Sequence, residues 1–238
     1  MFNIIEKEVN KEKRWMTKMK KLLKVATSLT LMGGIFVSAN GVSANTDVIQ
    51  KSGPDIMIEF DDVTTGHWAY DEITNLVYHR IMYGYGNGKF GVEDNITREQ
   101  AAAVLHRALH LKRSVFNENP YGDISGKSTM FPYEILHLTN IGIFKGDENG
   151  NFRPKDTLTR AELAQILTKA YELKAKRPHT FTDIPENHWA RDAISALQSN
   201  KVAVGTGDGK FEPEMLVTRG QFAKFLQRSI DNSPGKWE

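Results

Sequence analysis

The chain has 238 residues, 40% of them hydrophobic, with 31 Lys/Arg against 29 Asp/Glu and no cysteine. The absence of cysteine excludes disulfide stapling, so stability has to come from a packed core. Eight basic and three acidic residues fall within positions 1–44, so residues 45–238 hold 23 basic and 26 acidic residues, a formal net charge near −3. The mild basicity therefore belongs to the leading segment, and nucleic acid gains no support as a partner.

Residues 1–44 read as a secretory signal. A lysine-rich stretch runs from Lys11 to Lys24, an apolar stretch from Val25 to Val37, and Val42-Ser43-Ala44 supplies the small residues of a cleavage site. The apolar stretch is short and is broken by Gly33 and Gly34, which argues against a spanning helix. A retained membrane anchor is the alternative, and Met16 or Met19 is an alternative start. No later stretch is long and apolar enough to span a membrane, so the mature chain is expected to lack a membrane span.

A linker at 45–59 leads into three copies of one unit, with boundaries at 60–119, 120–180 and 181–231 and a tail at 232–238. Each unit opens on an aromatic-x-Asp-aliphatic or closely related segment: Phe60-Asp61-Asp62-Val63, Tyr121-Gly122-Asp123-Ile124 and Phe181-Thr182-Asp183-Ile184. Units one and three continue with His67-Trp68-Ala69 and His188-Trp189-Ala190, whereas unit two has no tryptophan. A first helix is predicted from about Ala69 to His79, Pro132 to Asn140 and Ala190 to Asn200, because Ile73, Leu76 and Val77 and their counterparts fall at helical spacing. A glycine turn follows in each copy: Gly84-Tyr-Gly-Asn-Gly88-Lys-Phe90, Gly146-Asp-Glu-Asn-Gly150-Asn-Phe152 and Gly205-Thr-Gly-Asp-Gly209-Lys-Phe211. Gly84, Gly146 and Gly205 are expected to end the helical run, with Gly and Asn/Asp supplying positive φ. A short extended piece then carries the phenylalanine, and a second helix starts at Arg98, Arg160 or Arg219. The fold class is thus all-α, helix–turn–helix three times over.

Thr97, Thr159 and Thr218 precede the second helices, and Gln100, Glu162 and Gln221 stand three residues on, the pattern of a capping box. The arginine between them is not explained by capping. A cation at the first helical position opposes the macrodipole by roughly 0.3–1 kcal/mol, yet all three copies have it. A bound anion facing the free amides and the guanidinium is one reason; a carboxylate would suit the planar fork. A fixed ion pair to Asp62, Asp123 or Asp183, or to an acid of the neighbouring repeat, is the other. Trp68 and Trp189 fit either a sugar-stacking face or the core. His106 and His110 have zinc-like spacing, but arginine stands where a metalloprotease needs its glutamate base, and both are expected on an exposed face. Asp147-Glu-Asn-Gly150 is a poor start to a calcium loop. No catalytic constellation recurs with the repeat, so neither an enzyme nor a metal or cofactor is expected.

These motifs together, including Thr159-Arg160-Ala161-Glu162, resemble the S-layer homology domain in three tandem copies, from about Phe60 to Asp231. The resemblance implies a pseudo-threefold bundle with one helix per repeat at its centre and grooves between repeats. It implies a non-catalytic anchor that holds secreted proteins at the cell surface, in the cell wall or S-layer, by binding a secondary cell-wall polysaccharide. The recognised group would be pyruvylated N-acetylmannosamine, whose ketal is a carboxylate. Arg98, Arg160 and Arg219 would pair with that carboxylate. Asp62, Asp123, Asp183, Gly84, Gly146, Gly205, Trp68 and Trp189 would line the grooves. Glu162 is the only intact glutamate of the motif; Gln100 and Gln221 replace it elsewhere, and grooves lacking it would bind less well if it contacts sugar. Family members carry a cargo, which here would be an unidentified partner. The competing reading is a protein-binding scaffold that uses the same grooves.

Overall fold

The computed structural model describes residues 59–115 and 118–233. The secretory-signal reading of 1–44 and the tail beyond 233 lie outside the described residues. Among these residues six helices run in the order α1 (Tyr70–Tyr78), α2 (Arg98–Ala108), α3 (Pro132–Asn140), α4 (Arg160–Ala170), α5 (Arg191–Ser199) and α6 (Arg219–Asp231). Among the described residues there is no β-strand, only isolated bridges, and no helix is long and apolar enough to cross a membrane.

The first helix of each pair stops for a local reason. Arg80, Gly142 and Lys201 adopt left-handed φ of 59°, 81° and 61°. The next residue then donates back to the helix: Ile81 to Leu76 O at 2.8 Å, Ile143 to Leu138 O at 2.9 Å and Val202 to Leu197 O at 2.9 Å. This is a Schellman ending, and the residue after the left-handed one is buried in each copy. The helices therefore end before the glycine motif, and Gly84, Gly146 and Gly205 do not terminate them. The second helices begin as expected: all three threonines accept from the third helical amide, and Gln100, Glu162 and Gln221 accept from the threonine amides.

The repeats close into a ring. Helix α2 packs on α3, α4 on α5, and α6 returns to α1. The pseudo-threefold axis is marked by backbone. Ile96 N donates to Val217 O at 3.0 Å, Val217 N to Leu158 O at 2.9 Å, and Leu158 N to Ile96 O at 3.2 Å. Each of these three residues comes from a different repeat, and their side chains are fully buried. The second helices are the more deeply buried of each pair, and one core runs through all three repeats. No single repeat of about 60 residues has to hold a core alone.

Candidate functional site

Arg98, Arg160 and Arg219 are 4–5% exposed. Each leaves the start of its own helix and enters the next repeat. Arg98 donates through Nε to Phe152 O at 2.8 Å and through Nη2 to Lys145 O at 2.8 Å. Arg160 reaches Phe211 O at 2.6 Å and Val204 O at 3.5 Å. Arg219 closes the ring on Phe90 O at 3.1 Å and Tyr83 O at 2.7 Å. The three guanidiniums stand 4.6–4.7 Å from the ring centroids of Phe152, Phe211 and Phe90. Burial pushes all three pKa values down, but arginine stays protonated.

The helix starts do not offer the free amides that an anion was expected to meet. Arg98 N donates to Asp156 O and Glu99 N to Pro154 O; Arg160 N and Ala161 N donate to Met215 O and Pro213 O; Arg219 N and Gly220 N donate to Asp94 O and Val92 O. The third amide goes to the threonine cap. Carbonyl oxygens of the next repeat thus surround each helix N-terminus, and they offset the penalty of a cation there.

The arginines make no ion pair with Asp62, Asp123 or Asp183 among the described residues. Those carboxylates hold the segment after the glycine turn in their own repeat. Asp62 accepts from the amides of Phe90, Gly91 and Val92 at 2.7–3.0 Å. Asp123 accepts from Phe152 and Arg153 at 2.8 and 2.7 Å, and Asp183 from Phe211 and Glu212 at 2.9 and 2.6 Å. Each aspartate so fixes the very carbonyl-bearing phenylalanine to which the preceding repeat's arginine donates.

Gly84, Gly146 and Gly205 are required by close approach, not by φ, which is ordinary at all three. A Cβ on Gly84 would stand 2.5 Å from the Phe60 ring and 2.6 Å from Lys89 O; on Gly146, 2.5 Å from Tyr121 and 2.6 Å from Asn151 O. The opening aromatic of the repeat lies on this bare backbone. Gly84→Ala is therefore expected to lower stability by about 2–3 kcal/mol, read as a drop in thermal midpoint; an unchanged midpoint would contradict this account. Gly86, Gly88, Gly150, Gly207 and Gly209 supply the positive φ of the turns.

The arginine that bridges repeats lies on the floor of a groove. The groove above Arg160 is a cavity of about 510 Å³, walled by Val204, Gly205 and Thr206 of the turn, by Gln221, Lys224 and Arg228 of α6, and by Trp68 of the first repeat. All three repeats thus contribute to one groove. Trp68 and Trp189 are 46% and 57% exposed, so neither is a core residue. Lys224 Nζ donates to Trp68 O at 2.7 Å, and the equivalent Gln165 Nε2 to Trp189 O at 3.2 Å, which sets Trp189 beside α4 as Trp68 stands beside α6.

The second repeat lacks tryptophan for a reason visible at the second position of each paired helix. Gly220 lies under Trp68, whose ring would come within 3.3 Å of an added Cβ. At the equivalent place in the first repeat stands Glu99, buried and bonded to Thr129 at 2.6 Å and Lys155 at 2.5 Å. Met130 of the second repeat takes the tryptophan position and is 81% exposed. The departure Thr-Arg-Glu-Gln and the missing tryptophan are one local rearrangement.

One expectation fails and one alternative holds in a single copy. His106 is not on an exposed face: its Nε2 lies 3.1 Å from Nδ1 of buried His137, across the α2–α3 contact. Among the described residues Arg98 alone of the three arginines meets a carboxylate of the neighbouring repeat, with Nη1 3.5 Å from Oε1 of Glu162.

The S-layer homology domain model matches residues 59–102, 120–164 and 180–223, more than half of the chain. An S-layer protein of Bacillus licheniformis is 33% identical over 172 residues, which is 70% of this chain and 19% of that protein. S-layer protein EA1 of Bacillus anthracis is 33% identical over 171 residues, with the same coverage. An uncharacterized cell wall amidase of Bacillus anthracis is 29% identical over 174 residues, 71% of this chain and 32% of the amidase. The chain spans about a fifth of the length of the S-layer relatives it matches. The interlocked arginines, the braced turns and these matches agree: the chain belongs to the S-layer homology domain family, in three tandem copies.

Proposed function

We infer that the chain is a non-catalytic anchoring module of the cell surface. It retains a secreted polypeptide on the cell wall by binding a secondary wall polysaccharide that carries pyruvylated N-acetylmannosamine. Arg160 on the floor of the groove carries this reading. Its Nε and Nη2 are held by backbone, while Nη1 has no hydrogen bond or ion pair among the described residues, beneath a cavity with an exposed tryptophan on its wall. A desolvated guanidinium of fixed orientation binds a planar carboxylate well, and an indole face suits the apolar side of a sugar ring. Arg98 and Arg219 are the equivalent groups of the other two grooves. Trp189 is the equivalent of Trp68, and Glu162 belongs to the groove of Arg98. The turn glycines and the three aspartates act one step back, by holding the groove wall. The segments at 45–59 and 60–231 serve as linker and anchor. The similarity to S-layer proteins and to a cell wall amidase supports a wall-attached role.

The test is a pull-down of the full chain on purified cell walls before and after removal of the polysaccharide's pyruvate. Loss of one charge-assisted pair per site predicts a fall in affinity of about ten-fold or more. Binding that ignores the pyruvate would point to a protein partner or to neutral sugar instead.

A further inference from the structure

The Arg98 groove differs from the other two at one atom of its capping side chain. In every copy the residue three places after the threonine caps the helix with one side-chain oxygen. Glu162 Oε2 accepts from Thr159 N at 2.9 Å, Gln221 Oε1 from Thr218 N at 3.3 Å and Gln100 Oε1 from Thr97 N at 3.2 Å. The other terminal atom is then fixed by chemistry. In Glu162 it is a second carboxylate oxygen, which faces Arg98 Nη1 at 3.5 Å. In Gln221 and Gln100 it is an amide donor. Gln221 lines the cavity with Arg160, so that groove presents a cation and a donor, both suited to an incoming carboxylate. The groove of Arg98 presents a cation already facing a carboxylate of its own. Of its other charges, Arg153 is paired, 3.5 Å from Asp147 and 3.4 Å from Asp156, while Lys169 takes the place of Arg228 with Lys145 near it.

The groove of Arg219 is obstructed differently. The Tyr85 ring lies 4.9 Å from the guanidinium, opposite Phe90. The Tyr85 hydroxyl donates to Asp94 at 2.9 Å, which sets an acidic group at the same place, and Met130 replaces the tryptophan. In the Arg160 groove Thr206 stands where Tyr85 stands and Met215 where Asp94 stands; Arg228 adds positive charge near Glu212, while Lys224 is paired with Glu72 at 3.2 Å.

We propose that the chain has one working carboxylate site, the Arg160 groove, and that Glu162 keeps the Arg98 groove closed by acting as an internal substitute for the ligand's carboxylate. This rests on the glycan-anchor reading above. It predicts that Glu162→Gln creates a second site, because glutamine preserves the cap, as it does in the other two repeats, and replaces the competing oxygen by a donor.

The two tryptophans report on the two grooves independently. The full chain, its indoles assigned with Trp68→Phe and Trp189→Phe, is titrated with the methyl glycoside of pyruvylated N-acetylmannosamine, with the unpyruvylated glycoside as control. The indole N–H resonances are followed by NMR. In the unsubstituted chain the Trp68 signal is expected to move and the Trp189 signal to stay, with one equivalent bound. In Glu162→Gln both should move, and about two equivalents should bind. Movement of Trp189 in the unsubstituted chain, or a Trp189 that stays still in Glu162→Gln, overturns the assignment of a self-closed groove while leaving the glycan reading intact. A chain in which the pyruvylated sugar moves neither indole overturns both.

Discussion

Arg98→Ala, Arg160→Ala and Arg219→Ala are each expected to lower the unfolding free energy by about 3 kcal/mol, and the triple substitution is expected not to fold. Each arginine is almost fully buried and donates to two carbonyls of the next repeat. A hydrogen bond to a charged group contributes about 1.5–3 kcal/mol, and removing one partner leaves the other without its bond. The stem and the stacked guanidinium also leave a void against phenylalanine. Three such losses sum to roughly 9 kcal/mol if they add, against a typical domain stability of about 5–15 kcal/mol. Lysine should not rescue, because a single ammonium cannot reproduce the planar fork that spans two carbonyls. Urea denaturation followed by circular dichroism measures this directly. A triple variant with a near-native midpoint would remove the interlocking role. The same result governs how wall binding is interpreted: a variant at these positions that no longer binds has to be shown folded first.

The aspartates give the second large effect. Asp62→Ala is expected to cost roughly 2–3 kcal/mol, since three backbone amides lose a charged acceptor. Asp62→Asn should cost less, because one amide oxygen remains. The effect carries a pH signature. Burial works against ionisation of Asp62, but the amides of Phe90, Val92 and Gly91 outweigh it and hold the carboxyl below its ordinary value of 3.8. Asp183 is likewise lowered: burial opposes, and the amides of Phe211 and Glu212 prevail. A carboxyl with a depressed folded-state pKa contributes fully above its unfolded value and loses that contribution as pH falls through the folded value. Stability should therefore be flat in this respect above about pH 5 and fall below about pH 4. Asp62→Asn should show a shallower acid slope. An identical slope would mean that the carboxylate's charge is not what holds the segment.

The helices, their capping boxes and the threefold plan were legible in the sequence because their causes are local: spacing of apolar residues, and a threonine three places from a glutamine or glutamate. The arginine was singled out correctly as something capping does not explain, but its main partners were not legible. They are backbone carbonyls 44 to 136 residues away, and a carbonyl leaves no mark in a sequence. The same holds for Gly84 and Gly146, whose constraint is a ring and a carbonyl pressed on the backbone, not a left-handed turn. The sequence pattern places Asp62, Asp123 and Asp183 in the grooves, whereas their carboxylates hold the segment after the glycine turn. Glu162 was singled out as the intact member of its motif. That its second oxygen faces the arginine of another repeat depends on how neighbouring repeats pack, which no single repeat encodes. The partly buried His106–His137 pair was not legible because the two residues sit in non-equivalent positions of different repeats.

The backbone triangle of Ile96, Leu158 and Val217 has a bearing on how such genes change. A stack of repeats that touch only their neighbours can lengthen or shorten by one unit and keep two capped ends. A closed circle of three has no ends. Losing one unit would strand an arginine from its carbonyls on one side and a helix start from its acceptors on the other, and a fourth unit would have no seat. Duplication and loss should therefore spread as whole triplets. Within a triplet, each member is free to drift in its groove as long as the clasp is kept, which fits a chain whose three clasps are alike and whose three grooves are not.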